Sequence, residues 1–96
     1  MRINELSLKA HRTAVNKGFY DRIRKIPELL MLIVTELGEA CEEDRKGNND
    51  KFKEEIADVY IRLGDMCGHL GINIEEEILR KMEINKNRPY KHNKKY

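Results

Sequence analysis

Ninety-six residues allow a single domain with a modest core, so association with a second copy is a natural way to bury more apolar surface. With 40% apolar and 38% charged residues, two prolines and few β-branched alternations, the composition points to an all-helical domain. No run approaches the roughly 20 apolar residues that a bilayer-spanning helix needs. The net charge of +2 hides a partition: residues 1–25 carry seven Lys/Arg against two acids, residues 26–79 five against fourteen, and residues 80–96 seven against one.

The first predicted helix runs from about Glu5 to Val15, with Leu6, Ala10 and Ala14 on one side. It gives way to Lys17-Gly18-Phe19-Tyr20-Asp21, where glycine interrupts the periodicity. Pro27 suits the first position of a second helix, which continues to Arg45. In the following Lys46-Gly47-Asn48-Asn49-Asp50, Gly47 fits the position just past a helix end and Asp50 an N-cap. The chain therefore reverses into an antiparallel hairpin, and a third helix spans about Lys51 to Leu70 before Gly71. Asn73, with Glu76 three residues on, opens a fourth helix through about Lys86, ahead of Pro89 and a basic tail over about 87–96. The fold expected is one all-α, four-helix-type domain over 1–96, its hairpin carrying an acidic site and its packing completed by homo-oligomerisation.

Helix phase assigns faces to the third helix. Phe52, Ile56, Val59, Tyr60, Leu63, Met66, Cys67 and Leu70 form a broad apolar face, and Ala57, Ile61, Gly64 and Gly68 a second, small-residue one. Glu55, Asp58, Arg62, Asp65 and His69 fall between them. Cys41 and Cys67, far apart on apolar faces with no C-x-x-C pair, read as reduced core thiols. His11, His69 and His92 show no mutual ligand spacing, and His69 reads as a partner for a helix C-terminus. No glycine pattern matches G-x-G-x-x-G or G-x-x-x-x-G-K-[ST], which argues against dinucleotide-binding and Walker-type folds. The start Met1-Arg2-Ile3-Asn4-Glu5 holds no apolar leader core, so a cytoplasmic location without a membrane partner is expected.

The chemistry concentrates in two acidic pairs, Glu36/Glu39 and Glu55/Asp58, at one three-residue spacing on the two arms of the hairpin. Residues three apart share a helix face about 5–6 Å apart, so each pair can aim two carboxylates at one cation or at two neighbouring ones. Glu39 lies eight residues before Gly47 and Asp58 eight after Asp50, which sets them at similar heights given a rise of roughly 1.5 Å per residue. Four carboxylates that converge partly out of water need cations, so the pattern reads as a divalent-metal site. Arg62, one turn beyond Asp58, is open to a reading as an internal counter-ion. The acidic middle and basic ends suit a metal-bound polyphosphate.

Four segments then resemble one family: Lys17 to Asp21; Leu32-Ile33-Val34-Thr35-Glu36-Leu37-Gly38-Glu39-Ala40; Glu54-Glu55-Ile56-Ala57-Asp58-Val59-Tyr60-Ile61-Arg62-Leu63; and Lys81 to Tyr90. Over nearly the whole chain the sequence is similar to the MazG-like all-α nucleoside triphosphate pyrophosphohydrolases, which include dCTP pyrophosphatases and are related to dimeric dUTPases. The family pattern E-E-x-x-E, spacer, E-x-x-D places its last four acids on Glu36, Glu39, Glu55 and Asp58, and its first on Thr35. Thr35 is about 100° away from Glu36, so the departure spares the converging face.

The resemblance implies hydrolysis of a nucleoside triphosphate between the α- and β-phosphates, with Mg²⁺, or Mn²⁺ as a substitute, held by Glu36, Glu39, Glu55 and Asp58. Glu36 or Glu39 could alternatively serve the attacking water. Lys81, Asn85 and Arg88, recurring at helical spacings of four and three, become candidates for the polyphosphate, with Lys17 beside them and Lys91 and Lys94 as weaker ones. Phe19 and Tyr20 become candidates for stacking on the base. A homodimer or homotetramer is expected, and nucleotide-pool sanitation is the role such enzymes suggest. Two other readings stand beside this one. A non-catalytic helical interaction module would pair the acidic stripe with a basic segment. A nucleic-acid binder using the basic tail is disfavoured, because the acidic middle repels a long polyanion.

Overall fold

The computed structural model describes residues 1–90; Lys91, His92, Lys94 and Lys95 of the basic tail lie outside the described residues. Four helices follow in order, α1 (Ile3–Asn16), α2 (Ile26–Arg45), α3 (Asn49–Leu70) and α4 (Ile74–Lys86), and no strand occurs among the described residues. The all-α expectation holds. Pro27 lies in the first turn of α2, where its missing N–H costs nothing. Gly47 and Gly71 take left-handed backbone, φ +73° and +69°, and end α2 and α3 where a side chain would strain the turn. Asn73 Oδ1 accepts from the Glu76 amide at 3.2 Å, capping α4 as its sequence spacing implied. The cap of α3 differs from expectation. Asn48, not Asp50, accepts from the Lys51 amide, at 3.4 Å, so α3 begins two residues earlier and Asp50 sits in its first turn, where its charge complements the helix dipole.

Helix α3 lies at the centre, with α1 packed along one side and α2 along the other. The small-residue face decides which side receives α1. A Cβ added at Gly68 would stand 2.8 Å from His11 Cβ and 2.9 Å from the Ser7 carbonyl oxygen, and one at Gly64 would stand 3.4 Å from Ser7 Cα. At Gly68 only glycine admits α1 this closely. At the far end, α1 holds α4 by reciprocal bonds: the Asn4 amide donates to Glu75 Oε1 at 3.0 Å, and the Glu75 amide donates to Asn4 Oδ1 at 3.1 Å.

The core is thin. Ala10, Leu29, Ile33, Ala40 and Cys67 are its buried apolar residues, and the radius of gyration is 16.0 Å, against about 12.5 Å for a compact chain of this length. Two expectations are corrected here. The broad apolar face of α3 is not uniformly covered: Cys67 is buried and Phe52, Ile56, Val59 and Met66 are half-buried, while Tyr60, Leu63 and Leu70 are exposed. The reason is that α4 anchors to the start of α1, leaving an apolar groove of about 190 Å³ along α3 that Leu63, Tyr60, Ile74 and Ile78 help to line. Cys41 is exposed rather than a core thiol, whereas Cys67 is buried, and both are free thiols. No helix among the described residues is long and apolar enough to cross a membrane.

Candidate metal centre

The hairpin brings Glu36, Glu39 and Glu55 together: one carboxylate oxygen from each lies within 4.8 Å of the others. Glu36 is buried, Glu55 half-buried and Glu39 exposed, so the trio runs from the interior of the α2/α3 contact to its surface. Asp58 stands outside this tight group. It lines the adjoining cleft with Glu36 and is close enough for its charge to push Glu55 further up. Thr35 turns away as helix phase requires, its hydroxyl donating to the Met31 carbonyl at 3.0 Å.

The three carboxylates are unequally compensated. Arg62 Nε donates to Glu36 Oε1 at 2.8 Å, and that bond, foremost, holds Glu36 below the usual carboxylate range. Glu55 is pushed up to about 7, first by the adjoining Glu39 carboxylate, then by burial and by Glu36. Its Oε2 is buried without a hydrogen-bond partner. An orphaned carboxylate oxygen beside two further carboxylates is costly in a folded protein. A hard divalent cation removes that cost with oxygen ligands alone, so these residues fit the metal that the sequence pattern implies.

Beside the trio opens a cleft of about 570 Å³ whose lining includes Lys9, Thr13, Phe19, Asp58, Arg62 and Asp65. It lies between α1, α2 and α3, a space of the size that takes a small-molecule ligand. Phe19 is fixed at its edge. Arg24 Nε donates to the Phe19 carbonyl at 2.6 Å, its guanidinium lies 4.0 Å from the ring centroid, and its Nη1 donates to Glu28 Oε2 at 2.6 Å. Arg24 in turn lowers Glu28 below its ordinary range.

Tyr20 is differently engaged. Its hydroxyl donates to Asp65 Oδ2 at 2.9 Å, and its ring stacks on His69 at 4.2 Å between centroids; burial, then the bond to Asp65, raises the phenol above its normal range. His11 Nδ1 donates to Asp65 Oδ1 at 3.0 Å. Both oxygens of the buried Asp65 are thus satisfied. Sequence reasoning placed Asp65 and His69 on the polar stripe but missed this network. Its signal was weak, an acid on a face bordered by small residues, and its partner His11 lies 54 positions away.

The remaining candidates are not brought to the trio. Lys17 is exposed at the end of α1. Lys81, Asn85 and Arg88 lie exposed on and just beyond α4, and the cleft beside the trio has no lining from them.

The hairpin, its acidic trio and the helical bundle around them define an all-α protein with a candidate metal site. The MazG-like family model matches residues 20–96, and the chain belongs to the MazG-like family. No curated protein and no solved structure matches it.

Proposed function

We propose that the protein hydrolyses a nucleoside triphosphate, NTP or dNTP, at the α–β phosphoanhydride, giving the monophosphate and pyrophosphate. The observation that carries this reading is the convergence of Glu36, Glu39 and Glu55 with an orphaned Glu55 oxygen next to a cleft wide enough for a nucleotide. Membership in a family of triphosphate pyrophosphohydrolases supports it. Glu36, Glu39 and Glu55, with Asp58 beside them, would hold Mg²⁺, or Mn²⁺ in its place. The cation, when bound, supplies a lowered pKa for water and neutralisation of phosphate charge.

The chain's own residues orient the rest. Phe19, braced by Arg24 and lining the cleft, offers a stacking face for the base. Tyr20, committed to Asp65 and His69, holds that segment in place instead. Glu39, the most exposed of the trio, is the carboxylate best placed to orient water. Lys81 and Asn85 on α4 and Arg88 just beyond it serve the polyphosphate, and Lys17 reinforces the positive field.

Because α4 does not line the cleft of its own chain, this reading calls for a homodimer or homotetramer with sites shared between copies. The open shape and the exposed Met31, Val34 and Leu37 on α2 and Leu79 and Met82 on α4 supply apolar surface for such an assembly. Nucleotide-pool sanitation in the cytoplasm is the role consistent with this activity. The test is a panel of standard and modified NTPs and dNTPs incubated with Mg²⁺ and resolved by chromatography. Monophosphate with pyrophosphate is expected; diphosphate with orthophosphate, or no turnover of any nucleotide, would refute the proposal.

A further inference from the structure

Arg62 is the one cation that an ion pair joins directly to the trio among the described residues. It engages Glu36 through Nε alone, at 2.8 Å. Its side chain is 35% exposed while that of Glu36 is 11% exposed, so the guanidinium reaches the carboxylate from the cleft, whose wall it forms with Lys9, Glu36, Asp58 and Asp65. Of the acids one turn away along α3, Asp65 already accepts from His11 and Tyr20, and Asp58 is exposed. A cation that claims Glu36 therefore competes with Arg62 for the same carboxylate. Once released, the arginine's forked donors face the cleft, where the exposed Asp58 is the remaining acid of the wall.

We propose that Arg62 is a resident counter-ion that a divalent cation displaces from Glu36, and that the displaced guanidinium then binds a phosphate of the substrate. This deepens, and rests on, the reading of the cleft as a triphosphate site. Two consequences of opposite sign follow. The metal-free trio is held together at the expense of metal affinity, because occupancy of Glu36 requires breaking a charge-assisted bond. The same exchange delivers a planar donor fork, suited to paired phosphate oxygens, when the metal arrives. Triphosphate and metal then support each other's binding through one side chain.

The test uses the full chain, with Mn²⁺ as the metal probe and inorganic tripolyphosphate at saturating free Mg²⁺ as the anion probe, both by calorimetry. Arg62→Gln should bind Mn²⁺ more tightly, roughly three- to tenfold for one charge removed from a partly solvated site, and should bind tripolyphosphate more weakly by a similar factor. Arg62→Lys, which keeps the charge without the fork, should leave Mn²⁺ affinity within about twofold and still weaken tripolyphosphate. In the unaltered protein, the Arg62 Nε–H resonance should lose its hydrogen-bonded shift when Mn²⁺ is replaced by diamagnetic Mg²⁺ and titrated, a readout that does not depend on a variant folding. Unchanged or weaker Mn²⁺ binding by Arg62→Gln, unchanged tripolyphosphate binding, or an Nε–H signal indifferent to Mg²⁺ would each overturn the proposal. None of these readouts is turnover, so a chain that binds metal and tripolyphosphate but cleaves no nucleotide would refute the proposed function and leave the exchange decided on its own terms.

Discussion

Two acidic groups on α3 stand ten residues apart and are treated in opposite ways. Asp65 is buried with each oxygen matched to a donor, His11 on one side and Tyr20 on the other. Glu55 meets two further carboxylates and keeps a buried oxygen with no partner. The first arrangement is what a fold builds to join α1 and the 17–22 turn to its central helix. The second is one the fold alone would not favour, and under the proposed function that unmet cost is what a bound cation relieves. Acidity by itself does not separate them; the two differ in hydrogen bonding and in the carboxylates that Glu55 meets.

The comparison breaks most visibly under mutation. Glu39→Gln, Glu55→Gln or Asp58→Asn should lower turnover by about 100-fold or more, beyond the usual loss for groups that only orient metal ligands, with helicity retained by circular dichroism. In metal-free buffer Glu55→Gln should raise the thermal midpoint, because it removes a charge that its neighbours oppose. A fall in that midpoint would make the trio a structural network like that of Asp65.

Asp65→Ala should do the reverse. Stranding His11 and the Tyr20 hydroxyl costs about 2 kcal/mol of stability, the lower end of 1–3 for each group left unpaired because both are half-buried, measured by urea unfolding. Asp65→Asn, which keeps the size and can still accept, should cost less than Asp65→Ala.

Glycine substitutions sharpen the contrast between the two sides of α3. Gly68→Ala pushes a methyl against His11 and the Ser7 carbonyl and should destabilise by about 2 kcal/mol, within the range for overpacking. Gly38 on α2 has nothing within 4 Å of an added Cβ, so Gly38→Ala should be neutral or stabilise by up to about 1 kcal/mol through helix propensity. Equal losses at both positions would contradict the close α1–α3 approach.

The smallest effect is a pH dependence of the metal-free protein. Glu55 holds its proton more tightly folded than unfolded, so its contribution favours the fold below the ordinary carboxylate range and is lost as pH rises through about 7. Glu36, lowered by Arg62, acts oppositely, stabilising above the ordinary range and losing that contribution as pH falls below it. Urea midpoints measured in chelator should therefore decline from about pH 4.5 toward pH 7 by an amount that Glu55→Gln abolishes. A decline of the same size in the variant would assign the effect to other groups.

Local rules carried most of the fold. Gly47, Gly71 and the Asn73/Glu76 pair ended and began helices where their spacing indicated, because capping depends on neighbours within a few residues. Glu36, Glu39 and Glu55 were legible for a similar reason: two helical periods joined by one short turn fix relative height and face. What escaped the sequence depends on contacts between helices. That Gly64 and Gly68 would receive α1, that Tyr20 would be bound to Asp65 rather than left for a base, and that Tyr60 and Leu63 would stay exposed all follow from where α1 and α4 dock. Periodicity along one helix is silent on the orientation of the next. The competition between Asn48 and Asp50 for the α3 cap was likewise undecidable from type alone, since both are good caps.

On the proposed function, the under-satisfied acids, and not the satisfied one, hold a divalent cation. Mn²⁺ titration by calorimetry of the parent, Glu55→Gln and Asp65→Asn addresses it directly. Saturable binding in the parent, weakened at least about tenfold by Glu55→Gln as expected for loss of a charged ligand and changed less than about twofold by Asp65→Asn, is the predicted result. Equal weakening in both variants, or no saturable binding in the parent, would contradict it.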